Sequence, residues 1–392
     1  PKAYWLLYST TPMKPEVLQR EGWPPAADAY IEKGVCYAFF AYETAFSIDL
    51  DRAEARIHQT TQRESLPHKR RAPSYFEYQP APLRVTQAVQ PLSIGGFQTG
   101  ATVDLVIYDF GAISVVYSIP ISGPIAKLLE LSDDLYDNQP LLADSRRRVE
   151  ETLKVIGDAA TEARSADFVE DYVIMQIESL TPPLTADDLC AKHGRAIAQI
   201  LRAESAPLSE QETEDALAAK MSFRTDDVAI VDWNAALLVD REGDDIRAVL
   251  EFANVELLEM RYLDHKLDRS LDQAYEALSK RSWRRVPLLR SYGADLRRVA
   301  ALQAESAILF EGVNNTLKLL GDQYLARVYR LASRRFHLEE WDASILRKLS
   351  TLKSIYEMIS DQVTDRRMEL LEWIIVILIA VSVALELLHR MP

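Results

Sequence analysis

The stretch LEWIIVILIAVSVALELLHRMP closes the chain, and it limits what the rest can become more than any other feature. From Trp373 to Leu385 only Ser382 is polar. Taken from Leu370 to Leu388, the run is about 19 residues, or roughly 28 Å of helix, which just spans a bilayer core. Trp373, Ile374, Ile375, Ile377, Leu378, Ile379 and Leu385 are its apolar body, with Trp373 at interface depth and Glu372 and Glu386 at the margins. The spacing predicts one C-terminal transmembrane helix, a single-pass anchor. The competing expectation is a helix buried inside an oligomer. Arg366 and Arg367 before the run place the bulk of the chain on the cytoplasmic, or mitochondrial matrix, side, against a weaker opposing pair in His389 and Arg390.

A chain of 392 residues that is 48% hydrophobic has ample material for packed cores. Its net charge of -14 argues against general nucleic-acid coating, so any polyanion contact needs a local basic patch. Cys36 and Cys190 stand far apart without CxxC or Cys/His spacing, which speaks against a disulfide framework or a structural zinc site. Both are expected to pack as small apolar side chains.

In chain order, residues 1–30 are Pro-rich and interleaved with aromatics. GVCYAFFAYETAFSIDL predicts a hairpin turning near Tyr42 to Thr44, and the polar stretch 51–91, with His68 to Arg71, an excursion. TVDLVIYDFGAISVVYSIPI predicts a second hairpin, strands Val103 to Tyr108 and Ile113 to Ser118 around Asp109, Phe110 and Gly111. Helices follow, one from Pro124, one capped by Asp144 or Ser145. EDYVIMQIESL is then a strand, a helix starts behind Thr185, an acidic helix lies at 209–221, and DDVAIVDWNAALLVD returns to strand. The fold class is α+β, an N-terminal head of hairpins and helices over 1–245.

Beyond it the pattern is helical. Leu250, Ala253, Leu257, Met260, Asp264, Leu267, Leu271, Ala274 and Leu278 form a heptad repeat in which Asp264 would set register from a polar core position. A second heptad helix runs through Val299, Leu302, Ser306, Leu309, Val313, Thr316 and Leu320; a third starts near Asp322 and carries Leu338, Trp341, Ile345, Leu349, Leu352, Ile359 and Val363. These make a three-helix antiparallel coiled-coil stalk over 246–367, with the anchor at 368–392, and a rod of this length calls for homo-oligomerisation.

Phosphate loops, dinucleotide fingerprints, HExxH, GxSxG and EF-hand motifs are absent from the sequence, and the paired carboxylates fall at helix starts and turns where capping accounts for them. No catalytic, cofactor or metal residue is assigned. Lys280, Arg281, Arg284, Arg285, Arg290, Arg297 and Arg298 face only Asp295 within the first interhelix turn, a candidate surface for a ribosome, an RNA or an acidic protein, or an ion-paired turn between protomers.

DWNAALLVD at 232–240, VLEFANVELLEMRYLDHKLD at 249–268 and RRMELLEWIIVILIAVSVALE at 366–386, with YDFGAISVV at 108–116, resemble the "required for meiotic nuclear division" (RMND/YagE-like) family of bacteria, fungi and mitochondria. The resemblance implies a membrane-anchored, self-associating scaffold or adaptor that supports translation by tethering ribosomes at a membrane, with no known activity to carry over. A different class is an ion-conducting component with the outline of CorA-type magnesium channels, an α/β head on long helices, in which Ser382 and Glu386 rings would line an oligomeric pore. A hydrolase without a recognisable motif ranks third.

Overall fold

The central strand is β1 (Tyr30–Glu43), fourteen residues with hardly a polar break. Such a run is the signature of a strand covered on both faces, because each face then needs its own apolar set. A computed structural model describes residues 29–61, 80–164, 167–279, 301 and 323–389. In it β1 lies between β7 (Ala112–Pro124) and β9 (Val169–Thr181), antiparallel to both. β6 (Thr102–Ile107) and the edge strand β3 (Leu83–Ala88) extend the sheet beyond β7. On the other side β12 (Ala235–Val239) pairs parallel with β9, followed by β11 (Val228–Val231) and β10 (Lys220–Met221). The eight-stranded order is β10-β11-β12-β9-β1-β7-β6-β3. Two small pairs lie outside it, β2 (Ser47–Ile48) with β8 (Ala160–Thr161), and β4 (Ser93–Ile94) with β5 (Phe97–Gln98).

Side chains alternate between two cores, as the period of two demands. Ala38, Phe40, Tyr42, Leu105, Val115, Tyr117 and Met175 point to one face, which is covered by α1 (Leu50–Thr61), α2 (Leu128–Leu135), α3 (Gln139–Ile156) and α4 (Ala186–Arg202). Phe39, Ala41, Val106, Val116, Tyr172 and Ile174 point to the other, where α6 (Asp244–Ser279), α7 (Gln323–Arg335) and α8 (Leu338–His389) pack. The short α5 (Glu210–Ala218) sits beside α4.

Several expectations hold. The β6–β7 hairpin keeps the expected register, Val103 opposite Tyr117 and Ile107 opposite Ile113. Gly111 in its turn has φ +105, and a Cβ there would come within 2.0 Å of the Ala45 carbonyl oxygen, so only glycine fits. Thr185 caps α4 by accepting from Asp188 N at 3.1 Å, and the acidic helix expected at 209–221 is α5 (Glu210–Ala218).

Others need correction. The hairpin expected around Tyr42 to Thr44 is the end of one long strand: β1 runs through Glu43, and only Ser47–Ile48 follow as strand, paired elsewhere. The excursion at 51–91 contains α1, capped by Asp49 through Arg52 N at 3.0 Å, and β3. α1 buries little beyond Leu50 and Ala53, and β3 is half-buried on both faces, so neither carries a strong apolar period. The strand β7 reaches Pro124, where a helix was expected to start. Asn138 caps α3 in place of Asp144 or Ser145, accepting from Leu141 N at 3.0 Å, while Ser145 bonds the Tyr42 hydroxyl at 2.7 Å.

The heptad positions Leu250, Ala253, Leu257, Met260, Leu267 and Ala274 are buried, but α6 lays its first turns on β1, β9 and β7, so its stripe belongs to the core of the sheet as well as to its helical neighbours. The third predicted helix is two: Phe336, stacked edge-on against Tyr172 at 5.2 Å, and His337, with φ +56, turn the chain between α7 and α8. The second predicted heptad helix, like the basic cluster at 68–71, lies outside the described residues.

Candidate functional site

The basic turn, Lys280, Arg281, Arg284, Arg285, Arg290, Arg297 and Arg298, lies outside the described residues. Asp264 is placed on α6 facing α8, where Lys348 Nζ meets it at 2.7 Å and also pairs with Asp268 at 2.5 Å. It is thus a partly buried ion-paired position between two helices of one chain. Burial by itself lowers the Lys348 pKa, and its bonds to the two aspartates outweigh this and raise it.

Within α8 the environment changes along one axis. Leu338, Ile345, Leu349, Leu352, Ile355 and Tyr356 are buried on one side against α6 and its neighbours. Further along, every described side chain from 371 to 382 is exposed, including Trp373, Ile374, Ile375, Ile377, Leu378 and Ile379 at 50–65%. The side chain of Leu385 lies outside the described residues. No helix among the described residues is long and apolar enough to cross a membrane. Between 371 and 382 these exposed side chains are apolar except for Glu372 and Ser382.

Sequence reasoning missed a cluster built around Asp232, in the β11–β12 turn. Its side chain is fully buried. Oδ2 accepts from Arg202 Nε of α4 at 2.8 Å, while Oδ1 accepts from Arg335 Nε of α7 at 2.8 Å and from Trp233 N at 2.8 Å. Asp215 of α5 bonds the same two guanidiniums, at 2.6 Å and 2.8 Å, and Glu212 also meets Arg202. The Arg335 bond leads the causes that hold the Asp215 carboxyl at about 2. Both arginines have raised pKa values, the carboxylates outweighing the burial that by itself lowers them. The signal available was DWN, an aspartate inside an apolar strand pair, which Asp232 shares with many plain turns.

Two carboxyls of α6 itself are also buried. Glu251 receives Arg84 Nη2 of the edge strand at 3.0 Å, and Arg84 also pairs with Asp104 at 3.2 Å; one Glu251 oxygen has no partner among the described residues. Glu256 is met by the Tyr329 hydroxyl at 2.5 Å, and burial raises its pKa to about 8.

A cleft of about 180 Å³ opens where β12 passes into α6, lined by Phe223, Arg224, Asp227, Asp240, Glu242, Asp245 and Tyr324 among others. Its acids have local work: Asp227 accepts from the backbone N–H groups of Phe223 and Arg224 at 2.7 and 2.9 Å, and Asp240 from Glu242 N at 3.0 Å. Among the described residues no group of three His, Cys, Asp or Glu side chains is placed to hold a metal ion. Cys36 is fully buried, which pushes its thiol far up and leaves it inert, and Cys190 is half-buried.

The family described as "Uncharacterized protein MJ0711, N-terminal domain" matches residues 33–245, from the fourth residue of β1 to the second residue of α6. The chain belongs to that family. The uncharacterized protein MJ0711 of Methanocaldococcus jannaschii is 26% identical over 225 residues, covering 56% of this chain and 66% of its own length. The family domain thus contains the whole sheet and the helices of one face, while α7, α8 and nearly all of α6 follow it. No solved structure matches the chain.

Proposed function

We propose that the protein is a scaffold or adaptor whose sheet domain is carried on a helical arm, with the exposed apolar end of α8 seated in a lipid bilayer and copies of the chain associating there. The observation that carries this reading is the passage within one unbroken 52-residue helix, about 78 Å long, from one-sided burial to apolar side chains exposed all round. A contiguous apolar surface of that kind marks a protein or membrane interaction site. The resemblance of 232–240, 249–268 and 366–386 to the RMND/YagE-like family supports the same reading, and with it the basic stretch 280–298 becomes the surface offered to a ribosome, an RNA or an acidic protein.

The test is co-flotation with phosphatidylcholine vesicles, comparing the wild-type chain with an Ile375→Glu/Ile379→Glu variant, together with the mass of each in detergent by light scattering. Wild-type protein should float and run as an oligomer, and the variant should stay at the bottom of the gradient with its thermal midpoint unchanged. Equal flotation of both, or a wild-type monomer, would sink the proposal. An ion flux through the wild-type vesicles would replace it with the channel reading.

A further inference from the structure

Glu256 stands at the junction of α6, α7 and α8 and is 2% exposed. Such a carboxyl ordinarily has a cation or several N–H donors beside it. Here the Tyr329 hydroxyl of α7 donates to it at 2.5 Å, and the other charge that reaches it is the Asp342 carboxyl of α8, of its own sign. Asp342 also keeps one buried oxygen without a partner. Along α6 the neighbouring acids are Glu251, engaged by Arg84, and Glu259. The sheet side contributes aromatic rings, Tyr108 against Phe252 and Phe252 against Tyr329. Among the described residues no Lys, Arg or His forms an ion pair with Glu256 or Asp342.

The two protonation states of Glu256 therefore differ sharply. As the neutral acid it fills its site with its oxygen bonded to Tyr329. As the carboxylate it is a charge that no cation among the described residues balances, in a low-dielectric junction that already holds another carboxyl. The element with least to hold it is α7, thirteen residues long, whose buried face consists of Leu325, Val328, Tyr329 and Ala332 and whose last residue is Arg335 of the Asp232 cluster.

We propose that Glu256 is a proton-operated catch between α6 and α7, closed while it carries its proton and loosened when the proton leaves. Burial lifts its pKa from 4.5 to about 8, and burial also raises that of Asp342. The folded chain then binds a proton that the unfolded chain has already released. This contribution to stability is full below about pH 4.5, declines as pH rises through the interval, and levels off above about pH 8. The inference is independent of the lipid-anchor reading.

The experiment combines infrared difference spectroscopy with thermal midpoints from about pH 4.5 to about pH 9, on wild type, Glu256→Gln and Tyr329→Phe. At neutral pH the wild type should show a protonated-carboxyl band that Glu256→Gln lacks. The wild-type midpoint should fall steadily between about pH 5 and pH 8 and level off above that, with α7 the first segment to exchange its amides, and Glu256→Gln should flatten that fall. Tyr329→Phe removes a bond that lowers the Glu256 pKa, so its transition should move to higher pH. No protonated band at neutral pH, parallel midpoints for wild type and Glu256→Gln, or a Tyr329→Phe transition moved downward would overturn the proposal.

Discussion

The two faces of the sheet are covered in different ways. The face of Phe40, Tyr42 and Tyr117 is closed by α1 to α4, all inside the family domain, and its buried polar contacts start from neutral hydroxyls: Tyr42 bonds Ser145, and Tyr117 donates to Asp144 at 2.7 Å, which Arg147 and Arg148 also grip. The face of Phe39, Val116 and Tyr172 is closed by α6 to α8, and buried charge runs through it: among the described residues Asp232 lies under two arginines, Glu251 under one and Glu256 under none. A hydrophobic contact tolerates sliding, whereas a buried charge with one partner position does not. The second face is therefore joined with less tolerance for error, which suits helices supplied from outside the domain that they cover.

That contrast can be broken at several points. The largest effect is expected from a chain ending at Asp245, which keeps the first face intact and strips the second: it should aggregate or bind a hydrophobic dye strongly, and a soluble, cooperatively melting product would show that the second face does not need its helices. Next comes Asp232→Ala, which leaves Arg202 and Arg335 facing each other with Asp215 and Glu212 as their remaining partners; a loss on the order of 3–5 kcal/mol in urea unfolding is expected, the size seen when one partner of a buried pair is removed. Arg84→Met should cost somewhat less, about 2–4 kcal/mol, because it strands Glu251 at 3% exposure while Arg84 itself lies at an edge strand. If that variant melts like wild type, the pairing of α6 with β3 is ornamental. The smallest effect belongs to the first face: Ser145→Ala removes one hydroxyl bond to Tyr42 and should cost about 1 kcal/mol, measured the same way.

The same contrast explains what could be read from the sequence. The β6–β7 hairpin, the cap of α4 and the strand at 170–180 were legible because each is decided by near neighbours: a turn glycine, a capping hydroxyl, a short apolar run bounded by polar residues. The length of β1 was not, since a strand buried on both faces offers no alternation by which to find its end, and Tyr42 to Thr44 resembles a turn although Tyr42 is fully buried. α6 was found as a helix and its buried stripe was found as well; what a heptad cannot say is whether the stripe meets other helices or a sheet. The arginines that make the Asp232 cluster lie 30 residues before and 103 residues after it, so their meeting is a property of the fold alone.

The late arrival of the second cover has a consequence during synthesis. When β12 ends at Val239 the strands of the sheet have all been made, and α1 to α4 can already dress one side. The other side waits for Arg335, 96 residues later by the difference of the two numbers. At about 5–20 residues per second of translation this is an interval of roughly 5–20 s, long against the microseconds to milliseconds in which helices and hairpins form. Throughout it, of the described helices that cover Phe39, Val116 and Tyr172, α6 alone has been made, so a nascent chain of this protein should be a customer of whatever chaperone waits at the ribosomal exit.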